Sequence, residues 1–181
     1  MKYAANSWRH ISCEFIGEMP MMKKNLFIGY GNPDRGDDGA AYHLFIALLN
    51  DLGKKDVDLF SSDLNSLDTN TDIMFNFQLL PEISEMIAKY QQVVFIDSHT
   101  GDIKENICYK PIEPCYQYSP FTHHFSPSSC LAVVQTLTGK HPKAWLLSIR
   151  GFQFGFNREL SVRTRELVNQ SLDIIHSEFF E

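Results

Sequence analysis

Leu26-Phe27-Ile28-Gly29-Tyr30-Gly31-Asn32-Pro33-Asp34-Arg35-Gly36-Asp37-Asp38-Gly39 is the stretch whose reading decides the fold. The apolar run Leu26-Phe27-Ile28 is short, as in a strand buried on both faces. It stops at Gly29, Gly31, Asn32 and Pro33, residues that favour turns for separate backbone reasons. Apolar positions then recur at Ala41, Leu44, Phe45, Leu48 and Leu49, the spacing of one helical face. The stretch therefore reads as strand, loop and helix. In open α/β sheets the crevice beyond the carboxyl end of a strand is where ligands bind, and Asp37 and Asp38 fall there.

Two adjacent acids at a helix start have an ordinary explanation, because Asp37 is a good N-cap and first-turn acids suit the helix dipole. Capping does not account for Gly29, Gly31, Gly36 and Gly39, whose density implies a loop that something approaches closely. A nucleotide site is the rival suggested by Gly29-Tyr30-Gly31. It fits poorly, since two acids at the helix N-terminus repel a pyrophosphate.

Outward from this turn, 181 residues suffice for one domain with a good core and are few for two. Sixteen basic against 22 acidic residues give a formal net charge of −6, and no basic run is present to neutralise phosphates, so nucleic acid is not the expected partner. No apolar run approaches the about 20 residues needed to span a bilayer, so a membrane is not expected either. Cys13, Cys108, Cys115 and Cys130 form no CxxC pair and no zinc-ligand spacing, which reads as free thiols in a reducing cytoplasm. Cys130 falls inside a predicted helix and reads as core; a nucleophilic cysteine is the weaker alternative. Residues 1–22 mix charges through their length, lack a signal-peptide core and precede Met21 and Met22. They are expected to be an N-terminal extension, disordered or not native, with one α/β/α domain over residues 23–181.

Further along, Val57, Leu59 and Phe60 suggest a second short strand, and residues 61–76 read as a polar loop. A helix is expected from about Gln78, with Pro81 in its first turn and Ile83 and Ile87 facing inward. Val93-Val94-Phe95-Ile96 is a second buried strand that exits at Asp97-Ser98-His99. Residues 106–112 read as a strand at an edge, because Pro111 and Pro114 cannot donate to a ladder. Ser126 and Pro127 suit the N-cap and first position of a helix ended by Gly139, which leaves His123 and His124 on the preceding loop. A strand over residues 143–149, an aromatic loop over 150–156 and a helix from Val162 to about Phe179 complete the chain. The expected fold class is α/β: a three-layer α/β/α sandwich with a mostly parallel or mixed central sheet, phosphorylase/hydrolase-like.

If the strands ending near residues 28 and 96 lie parallel in one sheet, Asp38 and Asp97 meet at one edge. With one of His123 or His124 they make a site for a divalent transition metal that keeps room for water or substrate. Singly, Asp97 reads equally as a turn cap and each histidine as a surface residue. His99, two residues beyond Asp97, reads as a solvated loop residue.

The elements Gly29-Tyr30-Gly31-Asn32-Pro33 and Gly36-Asp37-Asp38-Gly39 resemble the opening motif of the hydrogenase maturation endopeptidases. That family trims the C-terminal extension from the large subunit of nickel-iron hydrogenases, and the resemblance runs over nearly the whole chain from Lys24 onward. It implies a metal-dependent endopeptidase acting in the cytoplasm on a hydrogenase large-subunit precursor. It further implies Asp38, Asp97 and His123 as the catalytic and metal-binding residues. His123 is preferred because Phe125 and Ser126 follow it as the family pattern requires, and His124 is the second choice. The implied nickel is carried by the precursor, with another divalent metal an option in the isolated protein. Asp37 is assigned to orienting the loop. The chain departs from the family pattern after the second strand, where Asn76-Phe77-Gln78 replaces a glycine-rich segment, and this leaves the precursor open. A non-enzymatic metal-binding or assembly protein on the same scaffold is the alternative function.

Overall fold

A computed structural model describes residues 24–55, 57–61, 64–116 and 125–180. Among these residues six strands form one mixed sheet: β1 (Asn25–Tyr30), β2 (Asn65–Ser66), β3 (Thr71–Asn76), β4 (Gln92–His99), β5 (Ile107–Pro111) and β6 (Lys143–Arg150). They lie in the order β2-β3-β1-β4-β6-β5. The four central strands are parallel, and the short outer strands β2 and β5 are antiparallel to their neighbours. Among the described residues four helices cover it: α1 (Ala40–Asp51), α2 (Ile83–Ile87), α3 (Pro127–Thr138) and α4 (Val162–Phe179).

The pleat alternation of the central strands makes the three layers. Phe27, Val94 and Ile96 point into a core shared with α1 and α4, through Ala41, Leu44, Phe45, Leu48, Leu167, Val168 and Leu172. Leu26, Ile28, Val93 and Phe95 point the other way, against Ile83 and Ile87 of α2 and Cys130, Leu131 and Val134 of α3. Because both faces are covered, these strands are apolar without interruption rather than alternating. The apolar positions of α1 expected from spacing are the buried ones. α3 begins and ends as its caps require: the Ser126 side chain accepts from the Ser129 amide, Pro127 occupies the first turn, and Gly139 takes a left-handed φ of 74°. Ser161 caps α4 in the same way by accepting from the Thr164 amide.

Two expectations fail between residues 57 and 76. Val57 to Phe60 form no strand; Leu59 is buried from an irregular turn instead. The segment expected to be a polar loop contains β2 and β3, and β3 pairs in parallel with β1 at the centre of the sheet. Thr71-Asp72-Ile73-Met74-Phe75 is buried throughout despite its polar start. Asp72 is tolerated there because it accepts a 2.6 Å hydrogen bond from the Tyr90 hydroxyl. The helix expected from Gln78 is shorter than its pattern, beginning only at Ile83.

Candidate functional site

Strand order places the site. The chain leaves β1 for β3 on one side and returns to β4 on the other, so the connections diverge at the carboxyl ends of β1 and β4 and open a crevice there. Gly29 pairs with Ile96 in the parallel register, which puts Tyr30 beside Asp97 at the two strand exits.

The loop leaving β1 is shaped by its own side chains. The Asn32 side-chain oxygen accepts from the Asp34 amide at 3.0 Å, closing a local turn. The Asn32 amide donates to Asp38 Oδ2 at 3.0 Å, so the turn holds the carboxylate directly. Asp38 sits in a 3-10 turn over Gly36–Gly39 that leads into α1. Two of the glycines answer to close approach of the chain itself. At Gly31, with φ 136°, a Cβ would collide with the Asp38 carbonyl, and at Gly36, with φ 59°, it would lie 2.7 Å from the Gln153 carbonyl oxygen. The close approach inferred from glycine density is therefore made by the protein's own backbone.

Asp37 caps nothing in its own helix. It is fully buried, and its carboxylate crosses to the segment between β6 and α4. Oδ2 accepts from the amides of Phe152 at 2.7 Å and Gln153 at 2.8 Å and from the Ser161 hydroxyl at 2.8 Å. Oδ1 accepts from the Ser161 amide at 2.7 Å. Burial alone would raise its pKa, but the hydrogen bonds from Phe152 and Ser161 outweigh burial and hold it below the usual carboxylate range. Backbone hydrogen bonds from Gly36 to Asn157 and from Asp37 to Gln153 complete this clamp on the opening loop. Sequence reasoning saw the loop over 150–156 only as aromatic; its role depends on a partner more than 100 residues away.

Asp97 follows the buried run Val93–Ile96 of β4 and is itself partly buried. Its Oδ1 accepts from the Ser98 amide at 2.7 Å, and Tyr30 stands beside it at the exit of β1. Burial, together with the neighbouring Asp38 charge, pushes the Asp97 carboxyl up to about 7 against the pull of Tyr30 and the Ser98 amide. The Ser98 hydroxyl donates to Asp38 Oδ1 at 3.4 Å, so one serine touches both acids. Asp38 and Asp97, expected to meet at one sheet edge, are thus neighbours in the crevice. Tyr30 and Ser98 were not singled out from the sequence, because their partners follow from strand register. His99 is not the solvated residue expected. It is the last residue of β4, buried, with Nδ1 accepting from the Gly101 amide at 3.2 Å, and burial lowers its pKa. Cys130 lies fully buried in α3, and burial pushes its thiol up to about 12, which removes it as a nucleophile.

His123 and His124 lie outside the described residues. Among the described residues no group of three His, Cys, Asp or Glu side chains is placed to hold a metal ion. The two acids that are described do suit a cation. They face each other in a partly buried cleft, no salt bridge among the described residues neutralises either, and burial resists the charge on Asp97. Hard carboxylate oxygens joined by an imidazole are a donor set for a divalent ion. Among the described residues no helix is long and apolar enough to cross a membrane.

No family model matches the chain, and no curated protein matches its sequence. Solved structures do match. The hydrogenase maturating endopeptidase HybD from E. coli superposes with a TM-score of 0.61 at 15% identity, covering 85% of this chain and 90% of that one. The [NiFe] hydrogenase maturation protease HycI from Thermococcus kodakarensis KOD1 gives 0.60 at 20% identity, covering 88% and 94%. HybD from Thermococcus kodakarensis gives 0.57 at 16% identity, covering 85% and 97%. At these identities the likeness establishes architecture, and the chain has the three-layer α/β/α fold of these solved hydrogenase maturation proteases.

Proposed function

We propose that this protein is an endopeptidase that removes the C-terminal extension of a nickel-iron hydrogenase large-subunit precursor, with Asp38, Asp97 and His123 as its working residues and His124 as the alternative imidazole. The observation that carries the reading is the meeting of Asp38 and Asp97 at the crevice of a sheet whose fold matches hydrogenase maturation proteases over most of both chains.

Within this reading each residue has a task. The Asn32 amide and Ser98 hydroxyl aim the Asp38 carboxylate, and the Ser98 amide aims that of Asp97. Asp37 keeps the loop still by tying it to Phe152, Gln153 and Ser161. The precursor supplies nickel as part of the substrate, and Asp38, Asp97 and His123 recognise it. Asp38, Asp97 and His123 would hold a divalent ion, which would supply Lewis-acid polarisation of the scissile carbonyl or an anchor for the precursor.

The test is a mass measurement on a cognate large subunit incubated with the wild-type protein and with Asp38→Asn. The expected outcome is loss of the C-terminal extension with wild type only, while Asp38→Asn keeps a near wild-type Tm. Processing that persists in Asp38→Asn overturns the assignment, and an uncut precursor with folded wild-type protein overturns the protease reading.

A further inference from the structure

We propose that the segment between β6 and α4 presents a docking surface for an acidic stretch of the polypeptide this protein acts on. Arg150 and Arg163 take its carboxylates and Phe156 supplies the apolar contact. The inference rests on the protease reading and adds to it where the substrate is held.

Charge is spread unevenly over this acidic chain. Five of its six arginines lie at position 35 or within residues 150–165, and no lysine lies in the opening loop or in that later segment. Tertiary contacts bring the two segments together, through the Asp37 carboxylate on Phe152, Gln153 and Ser161 and through the bridge of Arg35 to Asn157. Arg150 and Arg163 meet over one ring, with guanidiniums 5.1 and 4.0 Å from the Phe152 centroid.

Stacking occupies the face of a guanidinium and leaves its N–H edge for a carboxylate. Arg150 uses little of that edge. Nη1 donates to Asn106 Oδ1 at 3.3 Å, and Nε is buried with no hydrogen-bond partner. The cation is thus partly desolvated and uncompensated, a state that an incoming carboxylate relieves. Among the described residues Arg35, Arg150, Arg163 and Arg165 form no salt bridge, whereas Arg158 is already paired with Asp34 at 2.6 Å. Glu159 and Glu166, the exposed acids of the same stretch, are fewer than its unpaired cations.

Phe156 is 97% exposed although its loop is held. The Asn157 amide donates to the Asp34 carbonyl at 3.1 Å, and the Asn157 carbonyl accepts from the Gly36 amide at 2.6 Å. Aromatic rings and arginines carry most interface energy, and a surface already ordered loses little entropy on binding. The surface adjoins the crevice, because Arg150 pairs in register with His99, two residues beyond the Ser148–Asp97 pair. Nucleic acid fits less well, since a net charge of −6 and the absence of lysine here leave little to neutralise phosphates.

The experiment follows the fluorescence anisotropy of labelled peptides of about nine residues, in which Glu alternates with Leu and Gly, against the purified full chain. The same peptides with Gln for Glu, and a uridine oligonucleotide of equal length, are the comparisons. Wild type should bind the Glu peptide about fivefold or more tighter than the Gln peptide, a preference that about 0.5 M salt abolishes. Arg150→Gln/Arg163→Gln should lose the preference, and the exposed single change Arg163→Gln should lower it at unchanged Tm. Phe156→Ser should weaken both peptides alike. Lys89→Gln/Lys140→Gln removes the same charge at the other end of the sheet and should match wild type. No preference in wild type, full preference in Arg163→Gln, or an equal loss in the lysine variant overturns the proposal. A lowered Tm in the arginine double variant with the preference intact assigns both side chains to packing Phe152 and overturns it too. Tighter binding of the oligonucleotide, lost in the arginine variants, assigns the surface to nucleic acid instead. Unchanged peptide binding in Phe156→Ser removes that residue from the surface. A large subunit left uncut by wild type that shows the peptide preference overturns the protease reading alone, whereas normal processing without the preference overturns the docking surface alone.

Discussion

Asp37 and Asp38 are adjacent in sequence yet do opposite work, and the difference lies in what each carboxylate touches. Asp37 is saturated by three amides and a hydroxyl from one distant segment. Asp37→Ala leaves those buried donors without an acceptor and should lower stability by on the order of 3 kcal/mol or more, measured by urea denaturation. Asp97 has the reverse effect. Its folded-state pKa of about 7 lies above its ordinary value of 3.8, so between those limits the folded protein binds more protons than the unfolded chain. Stability conferred at this residue is therefore lost as pH rises from about 4 to 7 and stays lost above. Asp97→Asn should be more stable than the metal-free wild type above pH 7, by on the order of 2–4 kcal/mol, and the gap should close toward pH 4. A urea series across pH checks this. The sequence marked both residues as acids at a strand exit. Which one is buried in a clamp was settled by the Gly151–Ser161 segment, whose docking no local pattern encodes.

At the scale of elements, the helices were legible because their signals are local. Ser126, Pro127 and Gly139 bound α3 through contacts within one turn of each end, and the period of α1 picks out its buried face. β3 was not legible. Its polar ends, Thr71-Asp72 and Asn76, resemble the loop around it, and the burial of Asp72 depends on Tyr90, which belongs to a later segment. Its central place in the sheet gives a direct check. Ile73 is fully buried between β3 and the α1/α4 layer, so Ile73→Ala should cost about 2–4 kcal/mol of unfolding free energy, whereas a loop residue would cost almost nothing.

For the whole molecule, the sheet is the shared wall of two cores. Phe27 faces one and Phe95 the other, and both are fully buried. Phe27→Ala and Phe95→Ala should each cost about 3–5 kcal/mol. Because either loss destroys the same sheet, far-UV and near-UV circular dichroism should report one coincident transition in both variants. Separate transitions for the two helix layers would contradict this. The amino-acid sequence by itself determined the fold class, the paired strand exits at Gly29–Gly31 and Asp97, and the boundaries of α3 and α4, since apolar period, turn chemistry and capping act over a few residues. Tertiary structure alone decided that β3 pairs beside β1 inside the sheet, that Asp37 is a clamp, that His99 is buried, and that Ser98 reaches both acids. Those properties depend on strand order and register, which bring together residues far apart in the chain.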